Sequence, residues 1–274
     1  MTFAMILVAG AVAGLMGALL GLGGGVLIIP VLFLFLGVPI QQAIAASLVA
    51  VVATSTTSAI SYVRDELSNM RLGLALEVAT TIGAVLGGLT ASYMSREALS
   101  AIFGAAMIGV SFYLLKNGAD AALEEAPVDL GRLGGRYHDP ALGREVRYRV
   151  RGLPFGLAIS FLAGNLSGLL GIGGGPLKVP AMTLGMGVPM KAAVATSNFM
   201  IGVTACASAA LYYVRGLVDP LVAVPACLGV TLGAFAGARL TPRLKSRSLT
   251  RALAVVLLAL AAQMLLAAAG VRLR

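Results

Sequence analysis

Ionisable side chains are scarce in this sequence. Only 11% of its 274 residues are charged, whereas a soluble domain carries about 25%. Hydrophobic residues make up 59% of the chain, and several apolar runs reach the roughly 20 residues that a helix needs to cross a bilayer. The composition excludes an ordinary soluble domain and predicts an all-α, multi-pass protein of the cell (inner) membrane.

Side chains that bind metals or act as nucleophiles are also few. Cys206 and Cys227 lie in separate apolar segments, so we expect small buried hydrophobes rather than a disulfide or a metal pair. His138, in a polar loop, is the single histidine. There is no cluster of carboxylates typical of a divalent-cation site, and no nucleophile–base pair. We therefore expect no metal site and no enzymatic activity.

Acidic residues are outnumbered by basic residues, 11 against 20, which gives a net charge of +9. The basic residues cluster in short loops, as the positive-inside bias of membrane proteins requires, so their excess does not indicate a nucleic-acid partner. Residues 1–20 are apolar, with no basic start and no small-residue cleavage site. They are interpreted as the first membrane segment rather than a removed signal peptide.

Glycine, by contrast, is concentrated in two clusters 150 residues apart. The clusters are Gly21-Leu22-Gly23-Gly24-Gly25 and Gly171-Ile172-Gly173-Gly174-Gly175, and each is followed five residues later by proline, Pro30 or Pro180. Each is expected to break a helix at membrane depth, where irregular backbone is tolerated only when it is buried in protein or lines a cavity. A nucleotide-binding loop is excluded, because no strand precedes either cluster and no Gly-Lys-Ser/Thr follows.

The central prediction is that the two breaks face each other and hold a small ligand. A helix that starts after a break points its free N–H groups and positive dipole end at the gap. The backbone donors would come from Gly23, Gly24, Gly25, Gly173, Gly174 and Gly175. The alternative is that these glycines only permit tight helix crossing.

The clusters belong to a longer repeat. Apolar segments 3–36, 41–63, 72–93 and 97–115 correspond to segments 152–188, 191–214, 220–240 and 249–270. Gly37-Val38-Pro39 returns as Gly187-Val188-Pro189, and Tyr62-Val63-Arg64 returns as Tyr213-Val214-Arg215 after one inserted residue. Small residues at every fourth position, from Gly83 to Ala91 and from Gly229 to Gly237, predict close helix packing. Duplication predicts two membrane repeats, residues 1–115 and 152–274.

Residues 116–151 divide the repeats. They hold seven basic and six acidic residues among glycine and proline, which predicts a solvent-exposed, partly disordered cytoplasmic linker.

Charge also predicts the orientation of the repeats. The basic loop at 241–250, with Arg243, Lys245 and Arg247, and the arginine-rich end of the linker are both placed in the cytoplasm. Counting segments from these points puts Arg64 and its repeat mate Arg215 on opposite sides. The prediction is two inverted repeats, each with a glycine-broken first segment (a helical hairpin) plus three transmembrane helices, a plan common in secondary transporters. Arg272 and Arg274 would then lie outside, against the bias.

Two charged residues in apolar segments are candidate site residues. Lys178 follows the second glycine cluster, and a charge at that depth usually faces a cavity or a partner; the alternative is that it snorkels to an interface. Glu77 is the candidate coupling residue. It could pair with Lys178, carry a proton, or sit at the headgroup level.

Polar uncharged residues complete the candidate set. Asn165 and Asn198 could donate to anionic oxygens or tie helices together. Hydroxyls at equivalent places in the two halves could point at a shared centre or cap their own helices; they are Ser47 with Ser197 and Thr54 with Thr204. The set offers many donors, one cation and one carboxylate, which favours a small anion over a metal ion or an amine.

Gly-x-Gly-Gly-Gly followed by proline in both halves, and the run from Ala195 to Thr204, resemble the TauE/SafE sulfite exporter family, also known as the toluene-sulfonate uptake permease family. The resemblance covers both membrane halves and omits the linker. It implies an integral membrane transporter without a bound cofactor. The substrates it implies are sulfite, sulfoacetate, other organosulfonates, thiosulfate and related anions, in export or uptake.

The sequence as a whole therefore predicts a secondary transporter of a small sulfur-containing anion, with a midplane site between the two broken helices. Its partners are that anion, the lipid bilayer and a coupling proton or cation. A passive anion channel built from the same half-helices is the alternative, and a membrane-embedded enzyme or accessory subunit is disfavoured. The oligomeric state stays open, with a homodimer as one option.

Overall fold

The computed structural model describes residues 2–20, 22–91, 93–117, 130–139, 143–240 and 247–269. Ten α-helices and one β-hairpin occupy this part of the chain. The helices are α1 (Thr2–Leu20), α2 (Gly25–Pro30), α3 (Ile40–Arg64), α4 (Met70–Ala91), α5 (Arg96–Asn117), α6 (Leu153–Leu170), α7 (Gly175–Pro180), α8 (Met190–Val214), α9 (Pro220–Leu240) and α10 (Arg247–Ala268); the strands are β1 (Gly135–Asp139) and β2 (Arg144–Tyr148). Several residues used in the predictions lie outside the described part: Gly21, linker residues 118–129 and 140–142, Arg243, Lys245, Arg272 and Arg274.

Five of the described helices, α3, α4, α6, α8 and α9, are long and apolar enough to cross a membrane. Shorter apolar helices cover Phe3–Leu19, Gly25–Phe35 and Leu257–Ala268. Many large apolar side chains on these helices are exposed, among them Val78 and Leu232, as expected for surfaces that face lipid rather than water. The protein is thus a helical, multi-pass membrane protein.

The helices fall into two sets, related by a shift of 150 residues up to α4 and α9 and by 151 residues for α5 and α10. Helix α3 begins at Ile40 and α8 begins at Met190, and both are 25 residues long. The tyrosine near the end of each helix bonds to the equivalent carbonyl: Tyr62 donates to Ala18 O over 2.9 Å, and Tyr212 donates to Gly168 O over 3.1 Å. The alignment of Tyr62 with Tyr213 was therefore wrong, because the shift of 150 residues continues without an insertion to the starts of α4 and α9, and Tyr213 is exposed.

The glycine clusters break the first segment of each repeat. Gly24 and Gly174 have φ values of 77° and 74°, a left-handed conformation that is strained for residues with a side chain. A short helix begins directly after each, at Gly25 or Gly175, and continues through a proline into a π-helical turn, Val31–Phe35 or Ala181–Gly185. The glycine breaks expected from sequence are present at both positions.

Each repeat packs its first helix against the other repeat. Helix α1 lies along α9, and α6 lies along α4. A methyl group placed on Gly10 would lie 2.9 Å from Ala226 O, and one on Gly237 would lie 2.6 Å from Leu15 O. In the other pair, Gly83 lies directly against the backbone of Phe161. Glycine is needed at these positions because the helix backbones touch.

The central helices α3 and α8 pack against each other, and α5 packs against α10 beside them. The apolar core runs through the middle of this assembly, with Ile29, Leu48 and Ile201 fully buried. The arrangement places both short helices next to α3 and α8, where the candidate site lies.

The linker differs from the solvent-exposed segment expected. Residues 135–139 and 144–148 form an antiparallel hairpin that buries Tyr137, Val146 and Tyr148 against the membrane helices. Asp139 is also buried and pairs with Lys191 at the start of α8, with 2.7 Å between Oδ1 and Nζ. Alternation of apolar and charged residues predicts a β-strand, but over such short strands it predicts the hairpin only weakly within a highly charged stretch.

The hairpin breaks the symmetry of the repeats. It covers the turn before α8, where Gly187 lies under Arg149. The equivalent turn before α3 is open: it lines a cavity of about 350 Å³ bounded by Phe33, Gly37, Val38, Pro39, Ile40, Gln41 and Arg96. The linker therefore covers the turn before α8 and leaves the equivalent turn before α3 open.

Candidate functional site

The two glycine breaks lie together at the centre of the structure. Ser47 donates a buried hydrogen bond of 2.9 Å to Gly171 O, so α3 of the first repeat holds the second break. A methyl group on Gly25 would lie 2.5 Å from the same carbonyl oxygen. Gly23 and Gly173 each contact the same two side chains, Val51 and Ile201. The breaks thus meet, and these two apolar side chains fill the space between Gly23 and Gly173.

The charged part of the site is displaced from this centre toward the second repeat. Lys178 projects from α7, is 1% exposed, and does not snorkel to an interface. Its Nζ donates to Thr204 Oγ1 on α8 over 3.0 Å and lies 3.6 Å from Glu77 Oε2 on α4. Of the alternatives considered for Glu77, pairing with Lys178 is the one that the structure contains.

Thr204 bridges the two charges. Its hydroxyl accepts from Lys178 and lies 2.6 Å from Glu77 Oε1, to which it donates. Thr81, one turn along α4, donates to the same oxygen over 3.1 Å. Glu77 Oε2, in contrast, is buried and has no hydrogen-bond donor among the described residues. The carboxylate is therefore held at one oxygen and left open at the other.

Burial makes this cluster costly unless its charges balance. Removing an ion from water costs several kcal/mol even after relaxation, and leaving one buried charge unpaired destabilises a protein by about 3–5 kcal/mol. Lys178 and Glu77 come from different repeats, so their pairing joins the second repeat to α4 of the first. The cluster is neutral only while the two charged side chains stay together or something else replaces one of them.

The repeat symmetry shows that the fold does not require these charges. A shift of 150 residues relates Lys178 to Ile28, Glu77 to Cys227 and Thr204 to Thr54. Ile28 is buried, and Thr54 donates to Ala50 O of its own helix over 3.0 Å. The same architecture is thus built once with an ion pair and once without it.

The predicted amides and the remaining serine occupy different surroundings. Asn198 is buried near the end of α1, where its amide nitrogen donates to Val194 O over 3.1 Å and to Ala18 O over 3.4 Å; its Oδ1 has no donor among the described residues. Ser197 is fully buried beside it in α8. Asn165 packs its backbone against Gly87 in the α4–α6 contact.

Two buried hydroxyls were not singled out from sequence. Ser58 and Ser208 are equivalent positions on α3 and α8, and neither hydroxyl has a hydrogen-bond partner in the described part of the chain. Ser208 follows Thr204 by one helical turn, so it shares the helix face that carries Thr204. The sequence feature that could have identified them is their spacing of 150 residues. The same spacing also relates many serines and threonines that have no role.

A family model described as sulfite exporter TauE/SafE matches residues 6–264. The probable membrane transporter protein YunE of Bacillus subtilis (strain 168) is 30% identical over 272 residues, covering 97% of this chain and 98% of the relative. The probable membrane transporter protein YdhB of the same organism is 26% identical, covering 83% of this chain and 86% of the relative. Sulfite exporter TauE/SafE family protein 5 of Arabidopsis thaliana is 45% identical over 60 residues, which cover 22% of this chain and 13% of the relative. No solved structure matches the chain significantly.

Proposed function

Because this chain belongs to the sulfite exporter TauE/SafE family of membrane transporters, we propose that it is a secondary transporter of a small sulfur-containing anion. Sulfite, sulfoacetate and related organosulfonates are the substrates meant. The anion binds between the repeats, and the repeats then move around it so that the site opens to each side of the membrane in turn.

The observation that carries this proposal is the buried Lys178 beside the second glycine break. Its ammonium group is the one buried cation that the described residues place among the membrane helices. Thr204 Oγ1 lies 3.0 Å from its Nζ, and Ser208, one turn further along α8, has a hydroxyl without a hydrogen-bond partner among the described residues. A cation with neighbouring hydroxyls suits the oxygens of a sulfite or sulfonate group. We place the anion here, with the N–H groups of Gly173 and Gly174 at its edge.

The remaining predicted residues receive supporting roles in this proposal. Ser47 and Asn198 direct their donors to backbone carbonyls at the ends of the breaks, so they fix the shape of the site. Gly23, Gly24 and Gly25 form the opposing wall. Val51 and Ile201 fill the centre, so the conformation described is an occluded one, and binding requires these two side chains to part.

We also propose that the repeats are inverted in the membrane. Along the contact between α1 and α9 the residue numbers of both helices increase in the same direction, from Gly10 with Ala226 to Leu15 with Gly237, so the two helices run parallel. The same is true of α4 with α6 and of α4 with α8. Helices α8 and α9 are joined by a short turn and so run antiparallel. It follows that α1 and α6, which are equivalent, point in opposite directions.

Because the repeats are inverted, the turn before α3 and the equivalent turn before α8 lie on opposite sides of the membrane. The hairpin carries Arg144 and Arg147 and belongs on the cytoplasmic side by the positive-inside bias, so it closes the site there. The cavity of about 350 Å³ at Gly37 and Arg96 then opens on the other side. An anion leaving or entering the closed centre would pass through this cavity.

Flux of labelled sulfite and sulfoacetate into proteoliposomes tests the proposal. The variant Lys178→Met with Glu77→Gln removes both charges together and so leaves no unpaired ion. We expect it to remain folded in detergent and to lose at least ten-fold in flux at low substrate. The matched control Ile28→Met changes the equivalent residue of the other repeat and should transport like the wild type. Unchanged apparent affinity and rate in the charge-free variant would remove Lys178 from the site.

The same proteoliposomes separate a carrier from the alternative, a passive anion channel. A carrier gives saturable flux and exchanges labelled for unlabelled anion when no gradient is present. A channel gives electrical conductance far above carrier turnover.

A further inference from the structure

We propose that Glu77 is the coupling site of this transporter: it takes up a proton when the substrate anion displaces it from Lys178, and the anion and the proton cross the membrane together. The inference rests on the proposed function, because it concerns the same cluster. It goes beyond that function by naming the coupling ion and the group that carries it.

The first argument is charge balance. Without substrate the cluster holds one cation and one carboxylate, 3.6 Å apart and almost fully buried. An anion bound to Lys178 adds a negative charge where water cannot compensate it, and such an imbalance is strongly unfavourable. A proton on Glu77 offsets one negative charge, so it restores the balance for a singly charged sulfonate and halves the excess charge for doubly ionised sulfoacetate.

The second argument is the geometry of Thr204. Its hydroxyl has a single hydrogen and lies 2.6 Å from Glu77 Oε1 and 3.1 Å from Met200 O, so it donates to the closer carboxylate oxygen while it accepts from Lys178. When an anion takes Lys178 and turns this hydroxyl toward itself, Glu77 loses its counter-ion and its closest hydrogen bond in one step. Both losses leave a buried negative charge on Glu77 that its described neighbours no longer compensate.

The third argument is that Glu77 has room for the proton. Oε2 is the oxygen nearest Lys178 and has no hydrogen-bond donor among the described residues. A proton placed on Oε2 therefore breaks no existing hydrogen bond. Thr81 continues to donate to the other oxygen, so the carboxyl group keeps its orientation during the exchange.

In the described surroundings of Glu77 no other carboxylate is available for this role, and the other charged residue of α4 is Arg71, which is exposed at the start of the helix. Helix α6, which packs along α4, has no charged residue, and α7 contributes only Lys178. Helix α8 carries Lys191 at its start, where it pairs with Asp139 of the hairpin. The equivalent position in the other repeat is Cys227, so the proton site exists once per chain.

The experiment uses the full-length protein in proteoliposomes loaded with a pH-sensitive dye. Sulfoacetate is added outside at pH 7, where both of its acid groups are ionised and it brings no proton of its own. For the wild type we expect the lumen to acidify as sulfoacetate enters, and an inward proton gradient to accelerate uptake several-fold. In Glu77→Gln we expect exchange of labelled for unlabelled sulfoacetate to persist, with no acidification and no response to the gradient.

The wild-type measurements keep the inference falsifiable if Glu77→Gln folds poorly, and a second variant serves as the inactive control of the flux assay. Glu77→Cys with Lys178→Ile recreates the side chains that the fold already accepts at Cys227 and Ile28, so it should fold and be inactive. Sulfoacetate uptake by the wild type without acidification, or equal proton coupling in Glu77→Gln, would overturn the inference and leave the proposed function standing. Absence of wild-type flux for both sulfite and sulfoacetate would overturn the proposed function itself.

Discussion

Replacing Gly25 by alanine tests whether the two glycine breaks depend on their direct contact. Gly25 is the first residue of α2 and has an ordinary helical backbone, so alanine causes no conformational strain there. Its methyl group, however, would lie 2.5 Å from Gly171 O and 2.8 Å from Ser47 Oγ. The first of these atoms belongs to the backbone of the opposite break and cannot rotate away.

The size of the effect follows from these distances. Side-chain carbons essentially never approach other atoms closer than 3.0 Å, so the breaks must separate by at least about 0.5 Å. Overpacking of this kind costs about 1–3 kcal/mol, and loss of the Ser47 hydrogen bond adds about 1 kcal/mol. The higher helix propensity of alanine offsets about 0.5–1 kcal/mol. We expect a net destabilisation of about 1–3 kcal/mol.

Thermal unfolding in detergent, followed by circular dichroism, measures this change. For a soluble chain of similar size each kcal/mol corresponds to roughly 2–4 °C in Tm, so a fall of roughly 2–12 °C is expected. The control is Gly109→Ala in α5, where no atom lies within 4 Å of the added methyl group and Tm should stay the same or rise. Equal stability of Gly25→Ala and the wild type would refute the close contact of the two breaks.

Three further predictions concern the hairpin and the repeat symmetry. Lys191→Gln removes a hydrogen-bonded charge from buried Asp139 and should loosen the hairpin by about 1.5–3 kcal/mol, seen as faster hydrogen exchange over residues 135–148. Tyr62→Phe and Tyr212→Phe each remove a hydrogen bond to an equivalent carbonyl, so each should lower the free energy of unfolding by about 0.5–1.5 kcal/mol, and an unchanged Tm in both variants would contradict these hydrogen bonds. Burial raises the pKa of Tyr148 above its usual 10.0, although Asn69 donates a hydrogen bond to it. The docked hairpin therefore binds the phenolic proton more tightly than the free hairpin does. The stability of the docked hairpin should be constant below pH 10.0 and fall as the pH rises above that value, with tyrosinate absorbance as the measure.

Local features of the sequence were enough to locate the breaks and the membrane helices. Four glycines within five positions interrupt a helix wherever they occur, and apolar runs of membrane length end at charged or proline-containing turns. The segment predicted at 41–63 is α3, Ile40–Arg64, and that at 220–240 is α9, Pro220–Leu240. These predictions needed no knowledge of which helix lies beside which.

Pairing between distant elements could not be predicted in the same way. Small residues every fourth position on α4 and α9 indicate that some helix packs closely, but not that α6 and α1 are the partners. Lys178 and Glu77 lie about 100 positions apart, and the sequence left pairing as one alternative among three. The filling of the centre by Val51 and Ile201 depends on how two apolar surfaces meet, which residue type alone does not specify.

The hairpin within the linker could not be predicted for a different reason, which lies in the composition of the linker. Its high charge outweighed the few apolar residues of β1 and β2, although three of these side chains are enough to dock a hairpin onto a surface formed by other parts of the chain. A two-stranded hairpin is marginal by itself, so its stability comes from the membrane helices and was not visible in the linker sequence.

The exchange of first helices between the repeats has a consequence for how the protein is made. The ribosome delivers α1 to the membrane first, yet its main partner α9 begins only at Pro220. Until then the glycine face of α1 contacts lipid. The equivalent helix α6 has no such delay, because its partner α4 is already in the bilayer when α6 is made. Synthesis therefore completes the pair of α4 and α6 early and the pair of α1 and α9 only near its end. A chain that stops inside α9 would leave α1 without its main packing partner.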